Sequence, residues 1–244
     1  MAPARGTAKP ESLPKRESAS VGLGLFVILA TIGLLLFGFA ALADEFGETG
    51  KLAQLDVAVL TWLQLHGSES GERAFEFVSW LGAPVLFAVD IAVAAWLAIH
   101  RLWRSFALWV IAIVGGAALD EILKLSFRRA RPSVASEFIH SGSWSFPSGH
   151  AMNSLVGYSM LAFLLREHVT NARVRVSIAL AAALLIVAIG FSRLYLGVHY
   201  LSDVTAGYLA GGAWVLACVT AEQYTRTGAR RPRGWRTRKR RQPR

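Results

Sequence analysis

Apolar residues in this chain gather in long blocks separated by short polar stretches, instead of alternating with polar residues as in a soluble domain. The hydrocarbon core of a bilayer is about 30 Å thick, and an α-helix needs about 20 apolar residues to cross it. Blocks that reach or approach this length lie at 21–43, 77–99, 106–123, 151–165, 176–191 and 201–219. The pattern predicts an all-α membrane protein with six transmembrane helices.

A shorter apolar stretch at 52–65 has a different pattern. Its bulky residues recur every three to four positions, and Asp56 lies among them. This spacing places the bulky residues along one face of a helix. We therefore predict an additional interfacial amphipathic helix.

The two ends of the chain differ in composition from the apolar middle. Residues 1–20 are rich in Pro, Ser and charged residues, which favours a disordered cytoplasmic N-terminus. Residues 223–244 form a strongly basic tail. Residues 21–222 are predicted to form the membrane domain between them.

A net charge of +10 is compatible with either a nucleic-acid or a membrane partner, and the location of the 26 Lys and Arg residues distinguishes the two. Six spans divide the connecting segments into two sets, of which one holds nineteen of these cations and the other seven. Because cytoplasmic segments carry the excess of Lys and Arg, we expect a multi-pass protein of the cell membrane with both termini in the cytoplasm. The tail is expected to contact anionic membrane lipids, and no nucleic-acid partner is expected.

Five of the seven outer-side cations fall in two short stretches, KLSFRRARP at 124–132 and SRLYLGVHYLSD at 192–203. A third polar stretch, PSGH at 147–150, begins the fourth span on the same side. Phosphate fits these cations best, since arginine can bind its oxygens in a bidentate manner and backbone N–H groups at a helix start add donors. The candidate phosphate ligands are Lys124, Arg131, Ser148, Gly149 and Arg193.

The same stretches hold candidate catalytic residues. His199 and Asp203 are four residues apart, so on a helix the carboxylate can accept a hydrogen bond from one ring nitrogen. The other ring nitrogen is then available to attack phosphorus. A protonated His150 could donate a proton to the leaving group.

The three stretches resemble the signature motifs K-x6-RP, PSGH and SR-x5-H-x3-D of the type 2 phosphatidic acid phosphatase (PAP2) family, and all eleven fixed positions match. The resemblance implies a membrane lipid phosphatase whose active site faces outward and whose substrate is a lipid phosphate. It implies a phosphohistidine on His199, with Asp203 as its partner, His150 as the acid, and no metal or other cofactor. The phosphate ligands that it implies are the five residues named above.

The residues alone leave the substrate and some alternatives open. Phosphatidate, phosphatidylglycerol phosphate and polyprenyl diphosphate all fit. A lipid phosphotransferase would use the same site, and a non-catalytic protein that binds or transports lipid phosphates is a further alternative. Vanadium-dependent haloperoxidases have a similar site, but they are soluble and larger. The helix at 52–65 is expected to border the path by which a lipid reaches the site.

Several charged residues lie outside the fixed motif positions. Arg128 and Arg129 are interpreted as interfacial residues whose charged ends reach water. Asp120, one helical turn before Lys124, is expected to orient that lysine or to reach the interface. Asp90 lies inside the second predicted span and has no assigned role.

Overall fold

The computed structural model describes residues 15–45, 50–132 and 144–229, and all secondary structure within these ranges is helical. The helices are α1 (Lys15–Glu45), α2 (Lys51–His66), α3 (Glu69–Trp80), α4 (Pro84–Ile99), α5 (Trp103–Phe127), α6 (Gly149–His168), α7 (Ala172–Tyr195) and α8 (Leu201–Ala229). Among the described residues, α8 packs most extensively against α6 and α1, and α6 also packs against α5 and α7.

Five helical stretches of the described chain, rather than the expected six, are long and apolar enough to cross a membrane. The predicted second span is part of a longer stretch that consists of α3 and α4. The predicted fourth span corresponds to α6, which has 20 residues but is not among the five. The five stretches are Leu23–Glu45, Glu69–Ile99, Trp103–Phe127, Ala172–Tyr195 and Leu201–Arg226.

The position of α6 explains its lower apolarity. This helix packs against α5, α7 and α8, so much of its surface contacts protein instead of lipid. Val156 and Met160 on α6 are 1% and 0% exposed, and they belong to the same buried cluster as Trp109 of α5. A helix enclosed in this way can carry small and polar residues, because it does not need an apolar surface toward lipid.

Two glycines allow α8 to approach α6 closely. A Cβ atom at Gly207 would lie 2.7 Å from the carbonyl oxygen of Ser148, and one at Gly211 would lie 3.0 Å from that of Met152. Both neighbours are backbone atoms that cannot easily move. The close contact therefore fixes the start of α6 against the first turns of α8.

Two of the expected boundaries differ from the structure. The first helix begins at Lys15, so residues 15–20 of the segment expected to be disordered are helical. The last helix continues past the expected boundary at 222 and ends at Ala229. Residues 1–14 and 230–244, which hold most of both expected terminal segments, lie outside the described residues.

The predicted helix at 52–65 is present as α2, which contacts α7, α8 and α1. Its apolar residues are not all covered, since Leu55 and Trp62 are about half exposed. Leu63 and, unexpectedly, Asp56 are buried. The side of α2 that faces the protein thus includes a carboxylate.

Candidate active site

Four helix ends meet at one end of the bundle and carry the three motif stretches. They are the C-terminal ends of α5 and α7 and the N-terminal ends of α6 and α8. At α7, the chain reverses at Gly197, whose φ of 68° lies in the left-handed region that favours glycine. This turn returns His199 to the interior, where it is 2% exposed.

Hydrogen bonds on both ring nitrogens orient His199. Its Nδ1 lies 3.5 Å from Oδ2 of Asp203 and 3.4 Å from Oγ of Ser145. Its Nε2 lies 3.3 Å from Nη1 of Arg131, which can only donate a hydrogen bond. These partners assign the proton to Nδ1 and leave the lone pair on Nε2.

Burial also keeps this imidazole neutral. Desolvation disfavours the charged ring and lowers the pKa of His199 to about 4, although Asp203 acts in the opposite direction. A neutral ring with its lone pair on Nε2 is the form that can attack phosphorus.

Asp203 is fully buried, and its two oxygens have different partners. Oδ2 accepts hydrogen bonds from the hydroxyl of Ser145 and, at 2.8 Å, from the backbone N–H of Tyr200. Oδ1 accepts a hydrogen bond from Arg129 at 2.6 Å. The predicted pairing of His199 with Asp203 is therefore present, and Ser145 is an additional member that the motifs do not contain.

Two of the three predicted cations, Arg131 and Arg193, lie beside His199. Arg131 donates to the carbonyl oxygen of Val198 at 3.1 Å in addition to its contact with His199. Arg193 is 6% exposed and donates a hydrogen bond to the hydroxyl of Ser79 on α3. Its Nε is buried and has no hydrogen-bond partner within the described part of the chain.

Lys124 is held by an ion pair. Its Nζ lies 2.7 Å from Oδ2 of Asp120, which is the contact expected from their spacing on α5. A Cβ atom at Gly149 would lie 2.6 Å from both of these atoms. Glycine at this position therefore leaves the space that the ion pair occupies.

The expected role of the Ser148 backbone needs correction. Its N–H donates to the carbonyl oxygen of Asp203 at 2.9 Å and is not available to a ligand. Its side chain is at the N-cap position of α6 but makes no capping hydrogen bond. The hydroxyl is buried without a hydrogen-bond partner among the described residues, so Ser148 can offer a ligand its hydroxyl instead.

A cavity of about 470 Å³ leads away from these polar groups, between α4, α5 and α6. Lys124, Gly149 and His150 line it, together with apolar residues of α4 and α5 as far as Ile113. Lys124 and Ile113 are eleven residues apart on one helix, so the cavity extends about 16 Å along α5. None of its lining residues belongs to α2.

Asp90, left unassigned from the sequence, also lines this cavity. Its Oδ1 is buried and has no hydrogen-bond partner in the described ranges. The cavity therefore combines apolar walls with a carboxylate.

The interpretation of Arg129 as an interfacial residue is wrong. Its side chain is 10% exposed and forms ion pairs with Asp203 and with Asp56 of α2. Arg128, by contrast, is exposed and has a left-handed backbone conformation with a φ of 46°. The sequence spacing gave no signal for the pairing of Arg129 with Asp56, because α2 lies far from the motifs along the chain.

Comparisons with known proteins agree with this architecture. The family model of the PAP2 superfamily matches residues 106–227, which is half of the chain, and the chain belongs to this superfamily. The matched region includes all three motif stretches.

Two curated relatives are phosphatases. Phosphatidylglycerophosphatase B of Bacillus subtilis is 31% identical over 136 residues, which cover 55% of this chain and 66% of the relative. Lipid A 1-phosphatase of Rhizobium johnstonii is 33% identical over 171 residues, which cover 65% of this chain and 55% of the relative. The chain thus matches less than two thirds of the length of either relative.

A solved structure shares the fold over most of its length. The crystal structure of a transmembrane PAP2 type phosphatidylglycerolphosphate phosphatase from Bacillus subtilis superimposes with a TM-score of 0.73 and 25% sequence identity. The match covers 80% of this chain and 96% of that one.

Proposed function

We propose that this chain is an integral membrane lipid phosphatase that hydrolyses a phosphomonoester or diphosphate of a lipid through a phosphohistidine at His199. The observation that carries the proposal is the orientation of this buried imidazole, with Nδ1 on Asp203 and Nε2 facing Arg131. Unpartnered polar atoms of Ser148 and Arg193 belong to the same buried site among the described residues. A phosphoryl group would provide the missing acceptors.

In the first step, Nε2 of His199 forms a bond to phosphorus, and the bond between phosphorus and the leaving oxygen of the lipid breaks. His150 donates a proton to that oxygen. Burial above all, and then the charges of Arg193, Lys124 and Arg131, lower the pKa of His150 to about 2. The negative charge of a bound phosphate dianion opposes these shifts, and the acid role of His150 requires that it restore the protonated imidazole.

In the second step, water attacks the phosphohistidine. The neutral His150 accepts a proton from the water, the bond between phosphorus and Nε2 breaks, and its electron pair returns to the nitrogen. Inorganic phosphate leaves, and both histidines regain their starting protonation states. No step of this proposal uses a metal ion.

The cavity between α4, α5 and α6 is the proposed site for the lipid chain. Its length of about 16 Å along α5 corresponds to roughly half of a hydrocarbon core. Phosphatidylglycerol phosphate heads the list of substrates to be tested, because a relative and a structural match act on this lipid according to their names. Lipid A 1-phosphate follows from the second relative, and polyprenyl diphosphate and phosphatidate are further candidates.

The proposed orientation places the site on the extracytoplasmic face and both termini in the cytoplasm. The distribution of Lys and Arg supports it. Ion pairs of Arg226 with Glu167 and Glu222 lie at the opposite end of the bundle from the site.

This orientation can be tested by labelling single cysteines placed at the exposed positions Glu69 and Arg173, in a Cys218→Ser background, with a membrane-impermeant thiol reagent. We expect labelling at position 69 from outside the cell. Exclusive labelling at position 173 would contradict the orientation.

The experiment that tests the function is phosphate release by the purified protein in detergent from a panel of these lipids, with a metal chelator present. His199→Ala is the test variant, and His100→Ala, which changes the exposed histidine directly after α4, is the control. We expect release that survives the chelator and is lost in His199→Ala alone. Release by folded His199→Ala at the wild-type rate, or no release from any lipid by the wild type, would contradict the proposal. Transfer of phosphate to an added alcohol in preference to water would indicate a phosphotransferase.

A further inference from the structure

Arg129 differs from the three cations of the phosphate site in what it binds. Its Nη1 donates to Oδ1 of Asp203 and to the hydroxyl of Ser202, both at 2.6 Å. Its Nη2 donates to Oδ2 of Asp56 at 2.8 Å. The guanidinium also lies over the ring of Tyr200, at 4.3 Å from the ring centroid. The group is thus fixed by two carboxylates and an aromatic face.

Asp56 connects α2 to the helix that carries the catalytic carboxylate. It is 1% exposed, and its Oδ1 accepts a hydrogen bond from the backbone N–H of Ser202 at 2.9 Å. Its Oδ2 accepts from the hydroxyl of the same serine and from Arg129. Ser202 is the second residue of α8, so Asp56 satisfies a backbone donor at the N-terminus of this helix, where a negative charge is favourable.

As a result, the two carboxylate oxygens of Asp203 have different partners. Arg129 occupies Oδ1, while Oδ2 faces Ser145 and lies 3.5 Å from Nδ1 of His199. Rotation of the carboxylate would break the hydrogen bonds on both sides. A carboxylate fixed in this way holds the imidazole in one tautomer and one orientation.

We propose that Asp56 and Arg129 are positioning residues for the reaction: Asp56 holds the guanidinium, and the guanidinium fixes Asp203 against His199. The inference rests on the proposed role of His199 as the nucleophile. It assigns α2 a function in the active site although α2 does not line the lipid cavity. Neither residue touches the phosphoryl group in this account.

The main alternative is that Arg129 binds the substrate phosphate directly. The two roles differ in their effect on ground-state binding, because loss of a phosphate ligand weakens binding of inorganic phosphate whereas loss of a positioning residue slows the chemical step. The inhibition constant of inorganic phosphate as a competitive product therefore separates the two roles. It is measured beside kcat and KM for the lipid that the wild type hydrolyses best.

The variants are Arg129→Gln, Arg129→Lys and Asp56→Asn, with Arg128→Gln as the matched control from the neighbouring exposed position. We expect Arg129→Gln to lower kcat on the order of 100-fold, because small displacements of reacting groups have effects of this size. Arg129→Lys should recover part of the loss, since an ammonium keeps the charge but not the fork that bridges two carboxylates. Asp56→Asn should lower kcat about tenfold, while KM and the phosphate inhibition constant change less than about twofold in all variants.

A wild-type kcat in folded Asp56→Asn and Arg129→Gln would overturn the inference. It would also be overturned if the phosphate inhibition constant of the Arg129 variants rose in parallel with the loss of kcat. Thermal unfolding in detergent shows whether each variant is folded. If Arg129→Gln does not fold, kcat and the inhibition constant of Arg129→Lys decide by the same criteria. An inactive wild type would refute the proposed function itself, whereas an active wild type with unaffected variants would refute the positioning role alone.

Discussion

A methyl group at position 149 would collide with the ion pair that holds Lys124. The Cβ atom of an alanine would lie 2.6 Å from both Nζ of Lys124 and Oδ2 of Asp120, whereas ordinary contacts begin at 3.4 Å. Both atoms are at the ends of side chains, so the pair can move while the backbone keeps its place. The ammonium group must then shift by about 0.8 Å, a displacement comparable to one that reduces activity on the order of 100-fold.

We therefore expect Gly149→Ala to fold and to lose about 100-fold in kcat/KM, which corresponds to about 2.7 kcal/mol of transition-state stabilisation. Phosphate release from the best lipid substrate gives kcat/KM, and thermal unfolding in detergent reports the fold. Gly33→Ala is the matched control, because a Cβ atom there would meet nothing within 4 Å. A folded Gly149→Ala protein with wild-type kcat/KM would refute the assignment of Lys124 to the phosphate site at this position.

Three further predictions follow from the geometry around His199. Because burial lowers the pKa of His199 to about 4, its protonation should reduce kcat/KM only as the pH falls toward 4. A loss of kcat/KM that follows a titration near pH 6.5 would argue against this. Gly197→Ala should lower the free energy of unfolding by about 1–2 kcal/mol, measured by thermal unfolding against Gly33→Ala, because alanine disfavours a φ of 68°; unchanged stability would contradict the left-handed turn. Ser145→Ala should lower kcat more than it raises KM, since it removes a hydrogen bond to Asp203 but no phosphate ligand; a change in KM alone would contradict this role.

The sequence was sufficient for the helical class and for the residues that meet at the site. Long apolar blocks indicate spans because each must cover about 30 Å of hydrocarbon. The motif positions predict that Lys124, His150 and His199 lie at the same side of the membrane. In the structure, the helix ends that carry these residues meet. The weaker apolarity of α6 arises from its enclosure by other helices, which a hydropathy pattern does not report.

The supporting partners could not be predicted in the same way. Asp56 contacts Ser202 across 146 positions of the chain, and Arg193 contacts Ser79 across 114. Such pairs depend on how the helices pack, and no local spacing encodes them. The position of Asp56 within an otherwise uncharged stretch indicates that it needs a partner, but it does not identify Arg129 as that partner.

The most direct test of the proposed mechanism is the detection of phosphate on His199 during turnover. The protein is mixed with a lipid substrate labelled in the terminal phosphate, quenched within milliseconds under alkaline conditions that preserve phosphohistidine, and digested for mass spectrometry. The mechanism predicts label on the peptide that contains His199, in the presence of a chelator, and none in His199→Ala. Phosphate release at the wild-type rate by His199→Ala, without any labelled histidine, would contradict it.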